Sequence, residues 1–173
     1  MKKIFLIFQI FILFFIHTAL ADIKIAYIDM DNIMSASIAG KSILKQLNDK
    51  NNKIILEFQK SENSFIEQEK KIIDQKNILS DVEFKEKFKI LKSEFKEYTK
   101  MKKKKIDYLN QLKTDNTNKF VKQINEILMK YSVDRSISLI LDKKKIIMGK
   151  SELDISMDII KIVNLEIKKF KVK

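Results

Sequence analysis

The sequence predicts an α+β fold, in which a small strand-containing base carries a long, inserted pair of antiparallel helices. Residues 41–131 contain neither glycine nor proline, and their apolar residues recur at helical spacing. The segments on either side of this run alternate between apolar and polar residues, which is typical of strands. These two observations divide the chain into an arm, residues 41–131, and a base that flanks it.

Residues 1–21 have the pattern of a signal peptide. Lys2 and Lys3 give a positive start, residues 4–16 are apolar except for one glutamine, and Ala19 and Ala21 form a small-x-small cleavage site. We expect export and cleavage after Ala21, with an uncleaved membrane anchor as the alternative. Cleavage removes two lysines and no acidic residue, so the formal charge falls from +12 to +10.

The first half of the base follows the leader. Residues 23–28 alternate and predict a strand with Ile25 and Tyr27 on the same face. Asp29 is expected to cap a short helix over residues 30–34. Residues 35–40 are small and polar, so we predict a turn that ends at Gly40 and a long helix that begins at residue 41.

The arm is predicted to reverse at residues 79–81. Ser80 can accept a hydrogen bond from the backbone three residues on, and Glu83 has the position that completes a capping box. An unbroken rod is the alternative, because neither glycine nor proline marks the turn. The two limbs would be on the order of 60 and 75 Å long. The arm holds 22 lysines against 14 acidic residues, a difference of +8, so most of the basic charge lies on it.

The second half of the base begins after the arm. Residues 136–141 and 146–148 predict two antiparallel strands joined by a polar loop. Asp154 or Ser156 is expected to cap a final helix whose C-terminus carries lysines 168, 169, 171 and 173. Three strands are needed for an independently stable sheet, so residues 22–40 and 132–173 form one base. Its predicted core residues are Ile25, Tyr27, Ile137, Leu139, Leu141 and Ile147.

A base of about 60 residues is near the lower limit for a single stable core, so we predict that it oligomerises. The mature chain has no cysteine and loses its one histidine, His17, with the leader. This composition excludes disulfides, Cys/His nucleophiles and common zinc ligand sets, and we expect no metal and no cofactor. Pairs of carboxylates occur without a phosphate loop or a pocket signal, so we expect no enzymatic activity.

The high content of lysine suggests nucleic-acid binding as an alternative function. However, the chain has one arginine, Arg135, and no recognisable nucleic-acid-binding motif. The signal peptide also removes the chain from nucleic acid. We therefore expect no specific nucleic-acid partner, and any retention would be non-specific attraction to phosphate.

Several short motifs resemble those of the Skp/OmpH family of periplasmic chaperones. They are Ile-Ala-Tyr-Ile-Asp-Met at 25–30, Ala-Gly-Lys at 39–41, Leu-Ile-Leu-Asp-Lys at 139–143 and Leu-Asp-Ile-Ser at 153–156. The resemblance implies a periplasmic homotrimer whose bases form a small trimerising barrel and whose arms surround a cavity like tentacles. It also implies ATP-independent holding of unfolded outer-membrane β-barrel proteins and their delivery to the outer-membrane assembly machinery.

The apolar face of the arm is the candidate client-binding surface, since clients of such a protein are unfolded and apolar. The alternative is that these residues fill the seam between the limbs, as a sustained apolar stripe usually does. An exported coiled-coil spacer or adaptor near the membrane remains the alternative function. The candidate residues are Phe58, Phe65, Ile72, Leu79, Phe84, Phe88, Phe95 and Met101.

Four consecutive lysines, Lys102, Lys103, Lys104 and Lys105, form a basic patch on the second limb. Consecutive residues wrap around a helix, so one interpretation is that most are solvated while those on the seam extend their stems along it. The other interpretation is functional: a joint in the arm, or a basic ring for acidic clients, anionic lipid or lipopolysaccharide. The ring predicts binding that weakens with salt.

Overall fold

A computed structural model describes residues 23–172 of the chain; the predicted signal peptide and its cleavage site at Ala19 and Ala21 lie outside the described residues. The described chain has two strands, four α-helices and two short 3₁₀ turns. In order they are β1 (Ile25–Ile28), α1 (Met30–Ala36), α2 (Ile38–Asp74), α3 (Asp81–Asp134), β2 (Leu139–Asp142), the turns Lys143–Lys145 and Ser151–Leu153, and α4 (Ser156–Glu166).

The sheet is smaller than the sequence pattern predicts and is parallel. β1 pairs with β2, with Ile25 opposite Leu139 and Ile28 opposite Asp142. The predicted second late strand at residues 146–148 is wrong. Asp142 accepts a hydrogen bond from the backbone N–H of Lys144 at 2.9 Å and caps a 3₁₀ turn, which diverts the chain before a hairpin can form.

Ion pairs hold this turn against the first half of the base. Lys143 lies 3.8 Å from Asp29, and Lys144 lies 2.6 Å from Asp31. The free side of β1 is then covered by the later chain, where Ile155 donates its backbone N–H to the carbonyl of Tyr27 at 3.0 Å. On this side β1 has one isolated bridge, between Tyr27 and Asp154, in place of the predicted third strand.

Asp29 caps α1 as expected, with its carboxylate accepting from the backbone N–H of Asn32 at 2.9 Å. The predicted turn at residues 35–40 is limited to Ser37, which ends α1 and caps α2, and the predicted helix start at residue 41 is wrong, because α2 begins at Ile38. Gly40 is in the first turn of α2, where a Cβ would lie 2.0 Å from the carbonyl oxygen of Met34. The glycine thus permits α1 and α2 to cross closely.

The arm reverses near the predicted residues, and the unbroken rod is excluded. α2 ends at Asp74, a turn follows, and α3 begins at Asp81 with a complete capping box. Ser80 accepts from the backbone N–H of Glu83 at 3.3 Å, while the Glu83 carboxylate accepts from the backbone N–H of Ser80 at 3.0 Å. This reciprocal pair satisfies donors that the first turn of a helix leaves open.

The predicted cap of α4 is wrong in position. Ile155 occupies the N-cap position, and the Ser156 hydroxyl instead accepts from the backbone N–H of Asp29 at 2.7 Å. Lys168, Lys169 and Lys171 also do not lie on a helix, because α4 ends at Glu166, and Lys173 lies outside the described residues. Residues 167–172 have no regular secondary structure. Their side chains Phe170 and Val172 are buried in the core at the root of the arm, where α2 and α3 leave the base.

One apolar core joins the base to the lower part of the arm. Its most buried side chains come from α1, α2, α3 and α4, and they are Ile33, Ile43, Phe120, Ile124, Ile159 and Val163. Strand β1 contributes Ala26 and Ile28, on the face opposite to the predicted core residue Ile25. The core therefore reaches past residues 41 and 131 into both limbs of the arm.

Of the six predicted base-core residues, Tyr27 is buried, while Ile137 and Leu141 are half-buried. Ile25 and Leu139 are 40% and 47% exposed, and Ile147 is fully exposed. These three are not core residues of the single chain. Their burial by other copies of the chain, as part of an oligomer core, stays a prediction.

Candidate functional site: the seam of the helical arm

An aromatic cluster lies halfway along the arm, between α2 and α3. The ring of Phe65 packs against Phe95 at a centroid distance of 5.4 Å and against Tyr98 at 5.3 Å. Phe58 meets the edge of Tyr98 at 6.4 Å. Such pairs contribute roughly 0.5–1.5 kcal/mol each beyond their buried area. The cluster therefore holds together α2 and α3, the two antiparallel helices of the arm.

A polar group completes the cluster. The Glu62 carboxylate accepts from the Tyr98 hydroxyl at 2.9 Å and from the Lys102 ammonium at 2.5 Å. Hydrogen bonds from Lys102 and then Tyr98 lower the pKa of Glu62 below its ordinary value. Burial, followed by the bond to Glu62, raises the pKa of Tyr98 to about 12. Lys102 also lies 5.3 Å from the ring centroid of Phe58, so one lysine contacts both polar and aromatic partners.

The seam around this cluster is only partly closed. Within residues 48–111, all of which the structure describes, Leu91 and Tyr98 alone are buried. A groove of about 870 Å³ opens on one side, lined in part by Phe65, Tyr98 and Met101. A second groove, of about 580 Å³, opens beside Phe65, Phe88 and Phe95. Both are open to solvent, so the aromatic side chains are reachable from outside.

The structure divides the predicted client-binding residues into two groups. Phe95 and Met101 are 49% and 52% exposed. The other six are half-buried in or near the seam: Phe58, Phe65, Ile72, Leu79, Phe84 and Phe88. The same stripe thus contributes to packing between the limbs and leaves apolar surface in contact with water.

Sequence reasoning missed part of the exposed apolar surface of the outer arm. Ile66, Ile73, Ile78 and Val82 are all more than half exposed. A helical projection of each limb would find them, since it places every apolar residue around the helix axis. Glu62 was also missed, since a single carboxylate among many charged residues gives no signal in the sequence.

The four lysines at 102–105 lie on different sides of α3. Lys102 and Lys105 are half-buried and pair across the seam with Glu62 and Glu57, respectively. Lys103 and Lys104 are exposed, and α3 continues through the patch without interruption. Two lysines therefore join the limbs while the other two present positive charge to solvent.

Within residues 23–172, no cluster of three or more acidic, His or Cys side chains is arranged to hold a metal ion. In the same range, no helix combines the length and apolar character that a membrane span requires.

Comparison with known proteins identifies the family. The model of the family described as outer membrane protein (OmpH-like) matches residues 24–163, most of the chain. No curated protein sequence matches it. A crystal structure of an OmpH-like protein from Caulobacter crescentus, provisionally described as an outer membrane chaperone, has a similar fold, with a TM-score of 0.79. The similarity covers 86% of this chain and 88% of that chain at 11% identity, so it supports the fold alone. The length and position of the family match establish that this chain belongs to the OmpH-like family.

Proposed function

We propose that the protein is an ATP-independent periplasmic holdase chaperone, which binds unfolded outer-membrane proteins between its arms and keeps them soluble for delivery to outer-membrane assembly. The observation that carries this proposal is the open seam, where aromatic side chains such as Phe65 and Phe95 are reachable from two grooves. Membership of the OmpH-like family supports a chaperone role.

The chemistry of the arm suits a client without fixed structure. Half-exposed rings and Met101 offer weak apolar contacts that do not demand one sequence, since aromatic and thioether groups accept many packing geometries. The surrounding lysines and carboxylates keep the arm soluble. Binding of this kind is broad in specificity and reversible without a nucleotide.

Several copies of the arm are needed to surround a client, and the base offers a surface for assembly. Ile25, Leu139, Ile147 and Met148 are exposed apolar residues on or near the sheet. In the described chain β2 pairs on one side only, with β1, which leaves a strand edge available. These features support the homotrimer that the family resemblance implies. Native mass spectrometry of the mature chain at micromolar concentration should find trimers, and a monodisperse monomer would contradict the assembly.

The holdase activity is tested by diluting a denatured β-barrel protein into buffer without ATP and following light scattering. The wild-type protein should suppress aggregation. Phe95→Ser should weaken suppression while the far-ultraviolet circular dichroism stays unchanged, because half of this side chain is already exposed. Tyr108→Ser is the matched control, since Tyr108 is similarly exposed on α3 but lines neither aromatic groove.

If Phe95→Ser and Tyr108→Ser suppress aggregation equally well, the position of an exposed apolar residue relative to the seam does not matter for client binding. If the wild-type protein does not suppress aggregation, an exported coiled-coil spacer or adaptor would be the better-supported function.

The exposed pair Lys103 and Lys104 is proposed to attract acidic clients or anionic lipid, including lipopolysaccharide. Attraction between exposed charges is screened over about 8–10 Å at ordinary ionic strength. Replacing both residues with glutamine should reduce client binding at low salt more than at high salt. An equal loss at both salt concentrations would contradict an electrostatic role.

A further inference from the structure

The final described residues, 167–172, form an extended segment that is packed against the root of the arm. Ile167, Phe170 and Val172 are buried, whereas Lys168, Lys169 and Lys171 face solvent. The segment lies beyond residues 24–163, which match the family model, so it is a feature of this chain outside that match.

Its backbone is bound by a single side chain of α2. The Gln46 amide donates to the carbonyl of Phe170 at 2.8 Å and accepts from the backbone N–H of Val172 at 3.1 Å. Because the Gln46 amide both donates and accepts, it makes the two hydrogen bonds to this segment that the backbone of a neighbouring strand would make. Eight residues earlier on the same helix, the backbone N–H of Ile38 donates to the Asn164 side chain at 2.8 Å. The end of α4 and the segment that follows it are thus each bound to α2, at points about 12 Å apart.

The same segment also contacts the other limb of the arm. The Phe170 ring meets Phe120 of α3 edge-on at a centroid distance of 6.1 Å, and the Lys119 ammonium lies 5.5 Å from its centroid. Phe120 is fully buried and belongs to the core that joins arm and base. Residues 167–172 therefore touch both α2 and α3 where they leave the base.

We infer that residues 167–172 are a strap that positions the arm, by holding both limbs at their root and limiting the angle through which the arm swings. This inference rests on the proposed function, since the swing of the arms sets the width of the space available to a client. Beyond the strap, residues 48–111 are packed loosely, so the strap lies at the boundary between the well-packed root and the open part of the arm.

Two variants of the full mature chain test the strap separately. Gln46→Ala removes both hydrogen bonds to the segment and keeps the Phe170 ring, while Phe170→Ala removes the ring contact and keeps the amide pair. Gln59→Ala, an exposed glutamine further along α2, is the matched control. Amide exchange is followed by mass spectrometry, and a pair of spin labels at Asn77 and Glu152 reports the distance from the arm tip to the base.

Both strap variants should raise amide exchange at the root, residues 43–50 and 116–124, by roughly tenfold or more. Both should also broaden the tip-to-base distance distribution, and the control should change neither. Unchanged exchange and distances in Phe170→Ala would overturn the inference. An equal rise of exchange throughout base and arm would also overturn it, since the segment would then only contribute to overall stability.

These measurements need no client, so they separate the two proposals. A wild-type protein that fails to suppress aggregation while the strap variants still broaden the distances would remove the holdase function and leave the strap. If the wild-type protein suppresses aggregation but both strap variants show normal amide exchange at the root, the strap is removed and the holdase function remains.

Discussion

Gly40→Ala should destabilise the protein, although alanine is the better helix former. Alanine favours a helix interior by about 1 kcal/mol relative to glycine. At this position, however, the new Cβ would lie 2.0 Å from the Met34 carbonyl oxygen and 2.7 Å from its carbonyl carbon, both of them backbone atoms of α1. Overpacking costs about 1–3 kcal/mol even where side chains can move, and here two helices must separate. With the overpacking cost at the upper end of this range and the propensity gain subtracted, we expect a net loss of about 2 kcal/mol in the free energy of unfolding.

The measurement is urea unfolding followed by circular dichroism at a fixed chain concentration, because the proposed assembly would make the midpoint depend on concentration. With a slope of about 1–3 kcal/mol per molar urea, the midpoint should fall by about 1 M or more. Gly149→Ala is the milder comparison: its Cβ would meet the Tyr27 ring at 3.1 Å, so the ring would have to give by only a few tenths of an ångström. A Gly40→Ala protein as stable as the wild type would refute the close-crossing role.

Three further predictions concern the arm. Ser80→Ala should remove the capping box and cost about 1 kcal/mol, seen as faster amide exchange near Glu83 but not at the root. Tyr98→Phe should cost about 0.5–1.5 kcal/mol in urea unfolding, because the ring stays and the bond to Glu62 is lost. The Glu62 pKa is lowered, chiefly by Lys102, so its contribution to stability is present above its unfolded pKa and is lost as pH falls through its folded pKa. The stability difference between wild type and Glu62→Gln should therefore disappear in acid.

Each of these predictions has an outcome that contradicts it. Unchanged exchange at the tip in Ser80→Ala would mean that the cap is not maintained in solution. A Tyr98→Phe protein with wild-type stability would show that the hydroxyl gains nothing over water. A difference between wild type and Glu62→Gln that is constant from neutral pH to below pH 4 would show that ionised Glu62 does not join the limbs.

The arm could be predicted from the sequence because its signals are local. Apolar spacing follows the period of the helix, and the box of Ser80 and Glu83 is complete within four residues. The division of the stripe into packed and exposed residues was not predictable in the same way. The half-burial of Phe65 and the exposure of Phe95 depend on how the two limbs rotate relative to each other, which single-limb periodicity does not fix.

The base was harder to predict because its contacts are distant in the sequence. Residues 146–148 have the composition of a strand, but the ion pairs of Lys143 with Asp29 and of Lys144 with Asp31 hold the preceding turn against the first half of the base. Gly40 was assigned to a turn because glycine is common there, whereas its actual role is close contact between helices. Residues 167–172 could not be recognised as a strap in the sequence, because their alternation of lysine with apolar residues is too short to distinguish from the end of a helix.

The parallel pairing of β1 and β2 has a consequence for the order of folding. The hydrogen bond from Lys24 to the carbonyl of Arg135 joins residues 111 positions apart, and closing an unstructured loop of that length costs about 4 kcal/mol. Helices and their hairpin form from near neighbours and fold quickly. Once the hairpin has formed, the two halves of the base are already close together and most of the loop-closure cost has been met. We therefore expect the arm to fold before the base, so that the surface proposed to bind clients would form before the surface proposed to assemble with other copies.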